Sequence, residues 1–141
     1  MTRFIGLDHG SRRVGVAVGD SETGLSFARP ALRRPDPAAI AALARTEGAD
    51  AVILGLPRNM DGTEGAQAGT VRRFGAQLRA LGLAVEYQDE RLSSWEAERA
   101  LSAEGRRPDR RSGELDSAAA RLILQDYLDA MASPRAQQET R

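Results

Sequence analysis

Alternation of apolar and polar positions divides the chain into short strands and longer helices. In "RFIGLDHGSRRVGVAVGD", residues 3–20, Phe4, Ile5 and Leu7 read as a buried strand that Asp8 interrupts, and Val14, Val16 and Val18 resume strict alternation after a glycine-containing turn. A third β segment covers about residues 25–32, and the joining turns, "HGSRR" and "DSETG", are short enough for an antiparallel meander. "PDPAAIAALARTEG" then carries helix punctuation: Asp36 as the cap, Pro37 as the first helical residue and Gly48 as the stop. The continuous apolar run "AVILG" (51–55) predicts a short buried strand in parallel pairing, covered on both faces.

A second helix is expected from about 64 to 81, with Val71, Phe74, Leu78 and Leu81 on one face and Gly82 ending it. "LAVEYQ" (83–88) alternates as a strand and runs directly into Asp89 and Glu90. "SSWE" offers Ser93 and Glu96 as a capping box for a third helix ending near Gly105. A last helix, rich in Ala and Leu, covers about 114–131, and the remaining tail is expected to fray. The order βββαβαβαα implies an α/β fold: a meander continued by two crossover-connected strands gives a five-stranded mixed sheet flanked by helices. One domain over residues 1–131, with 132–141 as a flexible tail, accounts for the 141 residues.

In such sheets the ligand crevice lies beyond the carboxyl ends of the parallel strands. Asp8 falls at that end of the first strand, and Asp89 and Glu90 at that end of the last. Asp116 lies in the first turn of the last helix, on a line 116, 120, 123, 127 that reads Asp, Ala, Ile, Tyr. Ala119 and Ala120 beside it let the helix approach the sheet closely. Each acid alone has an ordinary explanation, as a turn former, a loop cap or a partner of the helix dipole. Together, three carboxylates from three distant segments would repel one another, and a bound divalent cation resolves the repulsion. Two such ions about 3.5–4 Å apart activate a water and stabilise the leaving oxygen in phosphodiester hydrolysis. Asp8, rising from the rigid sheet centre, is the expected bridging ligand.

Composition narrows the metal. The chain has no cysteine and a single histidine, His9, so disulfides and thiolate zinc sites are excluded. Carboxylate ligands select hard cations, Mg²⁺ or Mn²⁺. No run of about 18 apolar residues and no signal-peptide pattern occurs, which predicts a cytoplasmic protein without membrane contact. Net charge is zero, yet all 20 basic residues are Arg, the side chain that grips phosphate with a two-pronged fork. A genome rich in G and C would give the same bias, so the bias alone decides nothing.

The placement of the arginines is more informative. They recur in pairs, Arg12/Arg13, Arg33/Arg34, Arg72/Arg73, Arg106/Arg107 and Arg110/Arg111. The last two pairs crowd "GRRPDRRSG", the loop that leads into the Asp116 helix, and put four cations beside the acids. Charge to clamp a phosphate backbone then adjoins acid to cut it. "GLPRNMDGTEG" (55–65) follows a strand and opens a helix, so its glycines, Asn59 and the helix N-terminus can present N–H groups to phosphate. It lacks GK[ST], which argues against ATP. Aromatics are 4% of the chain, so recognition by backbone and shape is expected over base stacking.

"GLDHGSRRVGVAVGD", "ILGLPRNMDGTEG", "DERLSSWEAE" and "LDSAAARLILQDYL" resemble, in order, the four motifs of the YqgF/RuvX family of Holliday junction resolvases, from about residue 3 to 130. The resemblance implies a ribonuclease H-like fold and a metal-dependent endonuclease for branched DNA. It maps the catalytic acids onto Asp8, Glu90 and Asp116, with Asp89 as the alternative to Glu90 if the strand register is shifted. It also implies that Arg13, Arg58, Asn59 and Arg91 lie near the site. The resemblance extends to RuvC resolvases in fold, but only one acid stands on the last helix, so one metal ion or two remains open. A second substrate linked to this family is RNA, in 5′-end maturation of precursor 16S ribosomal RNA. The carboxylates do not read a 2′-OH and leave that choice open. A nucleic-acid-binding factor with little catalysis is the contrasting class, marked by salt-sensitive binding that needs no divalent ion. Sugar-kinase and actin-type phosphotransferases need two such lobes, and this chain supplies one. Symmetric cutting of a junction favours a C2 homodimer, though no stretch identifies a dimer surface.

Overall fold

The computed structural model describes residues 1–90 and 113–132. The elements are β1 (Arg3–His9), β2 (Val14–Asp20), β3 (Ser26–Leu32), α1 (Pro37–Glu47), β4 (Ala51–Leu56), α2 (Ala66–Ala80), β5 (Val85–Asp89) and α3 (Glu114–Ala132). The helix expected from Ser93 to Gly105 lies outside the described residues, as do the tail and the arginines of "GRRPDRRSG". The strands form one sheet in the order β3-β2-β1-β4-β5. The meander β1–β2–β3 is antiparallel, while β1–β4 and β4–β5 are parallel. This is the mixed five-stranded sheet that the pattern predicts.

Local signals explain the helices. Asp36 accepts the Ala38 N–H and caps α1, Pro37 opens it, and Gly48 closes it in the left-handed region. α2 begins at Ala66 rather than 64, because the loop holds the preceding residues. There Asp61 accepts from both the N–H and the hydroxyl of Thr63, and Glu64 takes a two-pronged contact from Arg72 at 2.7 and 2.8 Å.

The sheet has a core on each face. Ile5, Leu7, Val16, Val52 and Leu54 pack against Ile40 of α1 and Val71, Phe74 and Leu78 of α2. On the other face Phe4, Ala17 and Ile53 meet Ala120, Ile123, Leu124 and Leu128 of α3. Each of the larger buried side chains contributes roughly 1.5–3 kcal/mol.

β1 does not break at Asp8. It pairs through His9, with Asp8 opposite Gly15 and His9 opposite Val14. The ladder is made by backbone groups and tolerates an acid, provided its side chain has somewhere to go. Alternation sends Phe4 to the α3 face, and therefore Asp8 as well.

Candidate active site

β1 supplies Asp8 from the middle of the sheet, and α3 lies across the same face. What lets α3 come so close is the absence of side chains beneath it. A Cβ on Gly15 would stand 1.9 Å from the Asp116 carbonyl oxygen, so the first turn of α3 rests on the bare backbone of β2. Ser117 completes the contact: its hydroxyl accepts the Val16 N–H at 3.2 Å, where the β2–β3 register shifts between Val14 and Val16. The orphan donor of an irregular ladder is thereby satisfied. These contacts hold Asp116 at the end of the sheet that carries Asp8.

Glu90 arrives from the far side. β5 is separated from β1 by β4, a span of about 10 Å at the usual strand spacing. In β5 alternation turns Val85 and Tyr87, and with them Asp89, toward α2, and Glu86 and Glu90 toward α3, where Glu86 meets the Tyr127 hydroxyl. Glu90 then crosses β4 over Gly55, where a Cβ would lie 2.6 Å from its Oε2 and 2.5 Å from Ile123 Cδ1. The missing side chain is the passage. Beyond it the Glu90 and Asp8 carboxyl groups share a hydrogen bond.

That corner is dry and crowded with acid. Burial, the Asp8 charge and the shared hydrogen bond push Glu90 up to about 9, and the Asp89 charge adds to the shift. Burial also raises Asp8 to about 6; the Glu90 hydrogen bond opposes this and the Asp116 charge reinforces it. Both carboxyl groups are thus pushed toward the protonated form, and the pair retains a proton across its hydrogen bond more readily than either acid would alone. Asp116 takes a hydrogen bond from Arg13 Nε at 3.1 Å. Among the described residues no three acidic or histidine side chains close around a single point. Asp8 and Glu90 are joined, and Asp116 stands beside them on its arginine.

His9, next to Asp8, faces the opposite side. Its ring packs on Phe74 with centroids 4.6 Å apart, and burial lowers its pKa, so it sits as a neutral core residue. In the 57–65 loop, Asn59 donates its N–H to the Thr63 carbonyl and its carboxamide to the Thr63 hydroxyl, and the Gly62 N–H goes to the Asn59 carbonyl. Asn59 and the Gly62 N–H, two of the groups expected to greet a phosphate there, are engaged inside the loop, while the N-terminus of α2 at Gly65 carries no side-chain cap. Arg58 Nη2 stands 3.9 Å from Glu64. Arg91, Arg106, Arg107, Arg110 and Arg111 lie outside the described residues. The pattern of the chain did not reveal the Arg13–Asp116 pair, Ser117, or the roles of Gly15 and Gly55. The available signal was the small-residue alternation Gly15, Ala17, Gly19 on β2, with Ala119 and Ala120 on the helix that crosses it.

Sheet order and the helix across one face give this chain the ribonuclease H-like fold. Thermus thermophilus RuvC in complex with Holliday junction substrate superposes with a TM-score of 0.53 at 13% identity, over 94% of this chain and 97% of that one. The large terminase nuclease of thermophilic phage G20c gives 0.53 at 15% identity, over 89% and 81%. A family model described as "RuvX: Holliday junction resolvase" matches residues 2–130, and the chain belongs to that family. Relatives named "Putative pre-16S rRNA nuclease" include those of Synechococcus elongatus, 44% identical over 136 residues (93% of this chain, 91% of the relative), and Opitutus terrae, 44% identical over 138 residues (94% of each). The protein is a nuclease, and among its described residues no helix is long and apolar enough to cross a membrane.

Proposed function

We propose that this protein is a divalent-metal-dependent ribonuclease that cuts precursor 16S ribosomal RNA in maturation of its 5′ end. The observation that carries the nuclease chemistry is Glu90 reaching across Gly55 to share a proton with Asp8 in a desolvated corner beside Asp116. The names of the relatives carry the substrate.

The donor set fits a hard cation. Asp8, Glu90 and Asp116 offer oxygen only, the His9 ring faces α2, and the chain has no thiol. Mg²⁺ or Mn²⁺ bound there would polarise the scissile phosphate and lower the pKa of the attacking water. Glu90 must release its proton to serve as a ligand, which leaves Asp8 and Glu90 as paired anions. Asp89, on the opposite side of β5, is left out of this set. Arg13, freed from Asp116, is placed to hold a non-bridging phosphate oxygen. Cleavage of a four-way DNA junction is the second reading, favoured by the description of the matched family.

The test offers purified protein, with Mn²⁺, a precursor 16S fragment carrying its 5′ extension, a four-way DNA junction and a plain duplex. Cutting of the RNA near the mature 5′ end, lost in Asp8→Asn and Asp116→Asn, supports the proposal. Cutting of the junction alone transfers the activity to the second reading. Undiminished cutting by either variant removes these residues from the chemistry.

A further inference from the structure

Two arginine pairs far apart in sequence leave the sheet at the same place. β2 begins at Val14 and β3 ends at Leu32, and these two residues are partners in the ladder. Arg12 and Arg13 therefore precede one strand where Arg33 and Arg34 follow its neighbour. It is the end of the sheet that carries Asp8, since Asp8 pairs with Gly15 and His9 with Val14. α3 also starts here: a Cβ on Gly113 would lie 2.6 Å from Ala31 Cβ and 3.4 Å from the Arg13 side chain.

Arg13 is committed to Asp116, but Arg12, Arg33 and Arg34 are exposed and make no hydrogen bond or ion pair among the described residues. Most other described arginines behave differently. Arg3 and Arg29 approach Glu47, Arg58 and Arg72 approach Glu64, and Arg79 donates to the Val85 carbonyl. The acids bordering the patch are occupied: Asp36 caps α1, Asp116 takes Arg13, and Glu114 is engaged. Three solvated guanidinium groups without carboxylate partners among the described residues, beside an acidic site, form a local positive field in a chain whose net charge is zero.

We infer that Arg12, Arg33 and Arg34 form a phosphate-binding platform that holds the nucleic-acid strand to one side of the cleavage point. The inference rests on the proposed nuclease function and adds to it the path of the substrate, which runs from Asp8 past the end of the sheet where β2 begins and β3 ends. Asp8 in β1 and the end of β3 are two strand spacings apart, about 10 Å. At the roughly 3.4 Å of axial rise per nucleotide of a duplex strand, the platform meets phosphates within about three nucleotides of the cut, and within fewer for an extended strand. Contacts of this kind set register and affinity without reading sequence.

The test compares the full-length wild type, the triple variant Arg12→Gln/Arg33→Gln/Arg34→Gln, and Arg45→Gln. Arg45 is exposed in the last turn of α1, toward the opposite end of the sheet. Fluorescence anisotropy with a labelled precursor 16S fragment, in Ca²⁺ to prevent cutting, gives affinity as a function of salt. Each lost phosphate contact lowers the slope of log K against log salt by about 0.7–0.9. The triple variant is expected to lose about two to three from that slope at an unchanged melting temperature, and Arg45→Gln to lose nothing. A triple variant with the wild-type slope, or Arg45→Gln with an equal loss, overturns the platform and leaves the nuclease reading standing. A wild type that binds neither this RNA nor a DNA junction removes both.

Discussion

Arg13 Nε donates to Asp116 Oδ2 at 3.1 Å and ties the β1–β2 hairpin to the first turn of α3 across 103 residues of sequence. Both side chains are about one-third exposed, 29% and 32%, so the pair is worth the 0.2–1 kcal/mol typical of solvent-screened ion pairs. A cation bound by Asp116 must compete with this guanidinium. Arg13→Ala is therefore expected to bind Mn²⁺ about two- to fivefold more tightly in calorimetry, while cleaving more slowly for want of a phosphate contact. Weaker Mn²⁺ binding in the variant would make Arg13 the group that orients Asp116, not its competitor.

Gly15 tests the seat of α3. The atom it would strike is the Asp116 carbonyl oxygen, part of the backbone, which cannot swing aside as a flexible side chain can. Gly15→Ala is expected to destabilise the protein by about 1–3 kcal/mol, as overpacked cores do. Cleavage should fall further than stability explains, because Asp116 moves with its turn. Thermal melting and rates measured well below the melting temperature separate the two effects; a normal rate in a destabilised variant would detach Asp116 from the chemistry.

How much of this could be read from the chain depends on the range of the interactions. Asp36, Pro37 and Gly48 punctuate α1 through contacts within a turn, and they stand where the pattern put them. The mixed five-stranded sheet followed from turn lengths and crossovers, which are also nearly local. The choice between Asp89 and Glu90 turned on register: one step along β5 changes the face, and the register is set by pairing with β4. Asp8 looked like a strand end because an acid interrupts the apolar run, whereas the backbone ladder continues through His9 and the side chain finds room on the α3 face. Gly15 and Gly55 read as ordinary strand residues, since the atoms that need their emptiness belong to segments far along the chain.

The acid pair gives a pH signature. Both folded-state values are raised, Asp8 from 3.8 to about 6 and Glu90 from 4.5 to about 9. Between each ordinary value and its raised value the native state binds more protons than the unfolded chain, so stability falls as pH rises. The Asp8 part is lost by about pH 6 and the Glu90 part by about pH 9. From pH 7 to 9 the metal-free melting temperature is thus expected to decline, and Glu90→Gln should flatten the decline. Mn²⁺ should bind more tightly with rising pH and release close to one proton, read by calorimetry in buffers of different ionisation heat. A metal-free melting temperature independent of pH across that window would mean that Glu90 is already ionised in the native protein.

Asp8→Asn separates function from stability most cleanly. The aspartate is held in a buried position beside two other acids, an arrangement that costs free energy until a cation arrives. The asparagine keeps nearly the same shape, removes the desolvated charge, and can donate from its carboxamide to Glu90, which then ionises more easily. In the absence of metal the variant is expected to melt a few degrees higher than wild type, about 3–5 °C for each kcal/mol at this chain length. Cleavage should be abolished, as at sites where function is held at the expense of stability. Scanning calorimetry with and without Mn²⁺ decides the matter: the wild type should gain stability from the ion and the variant should not. An Asp8→Asn protein that melts lower than wild type without metal would show that the aspartate supports the fold, and the strained-site explanation would have to be abandoned.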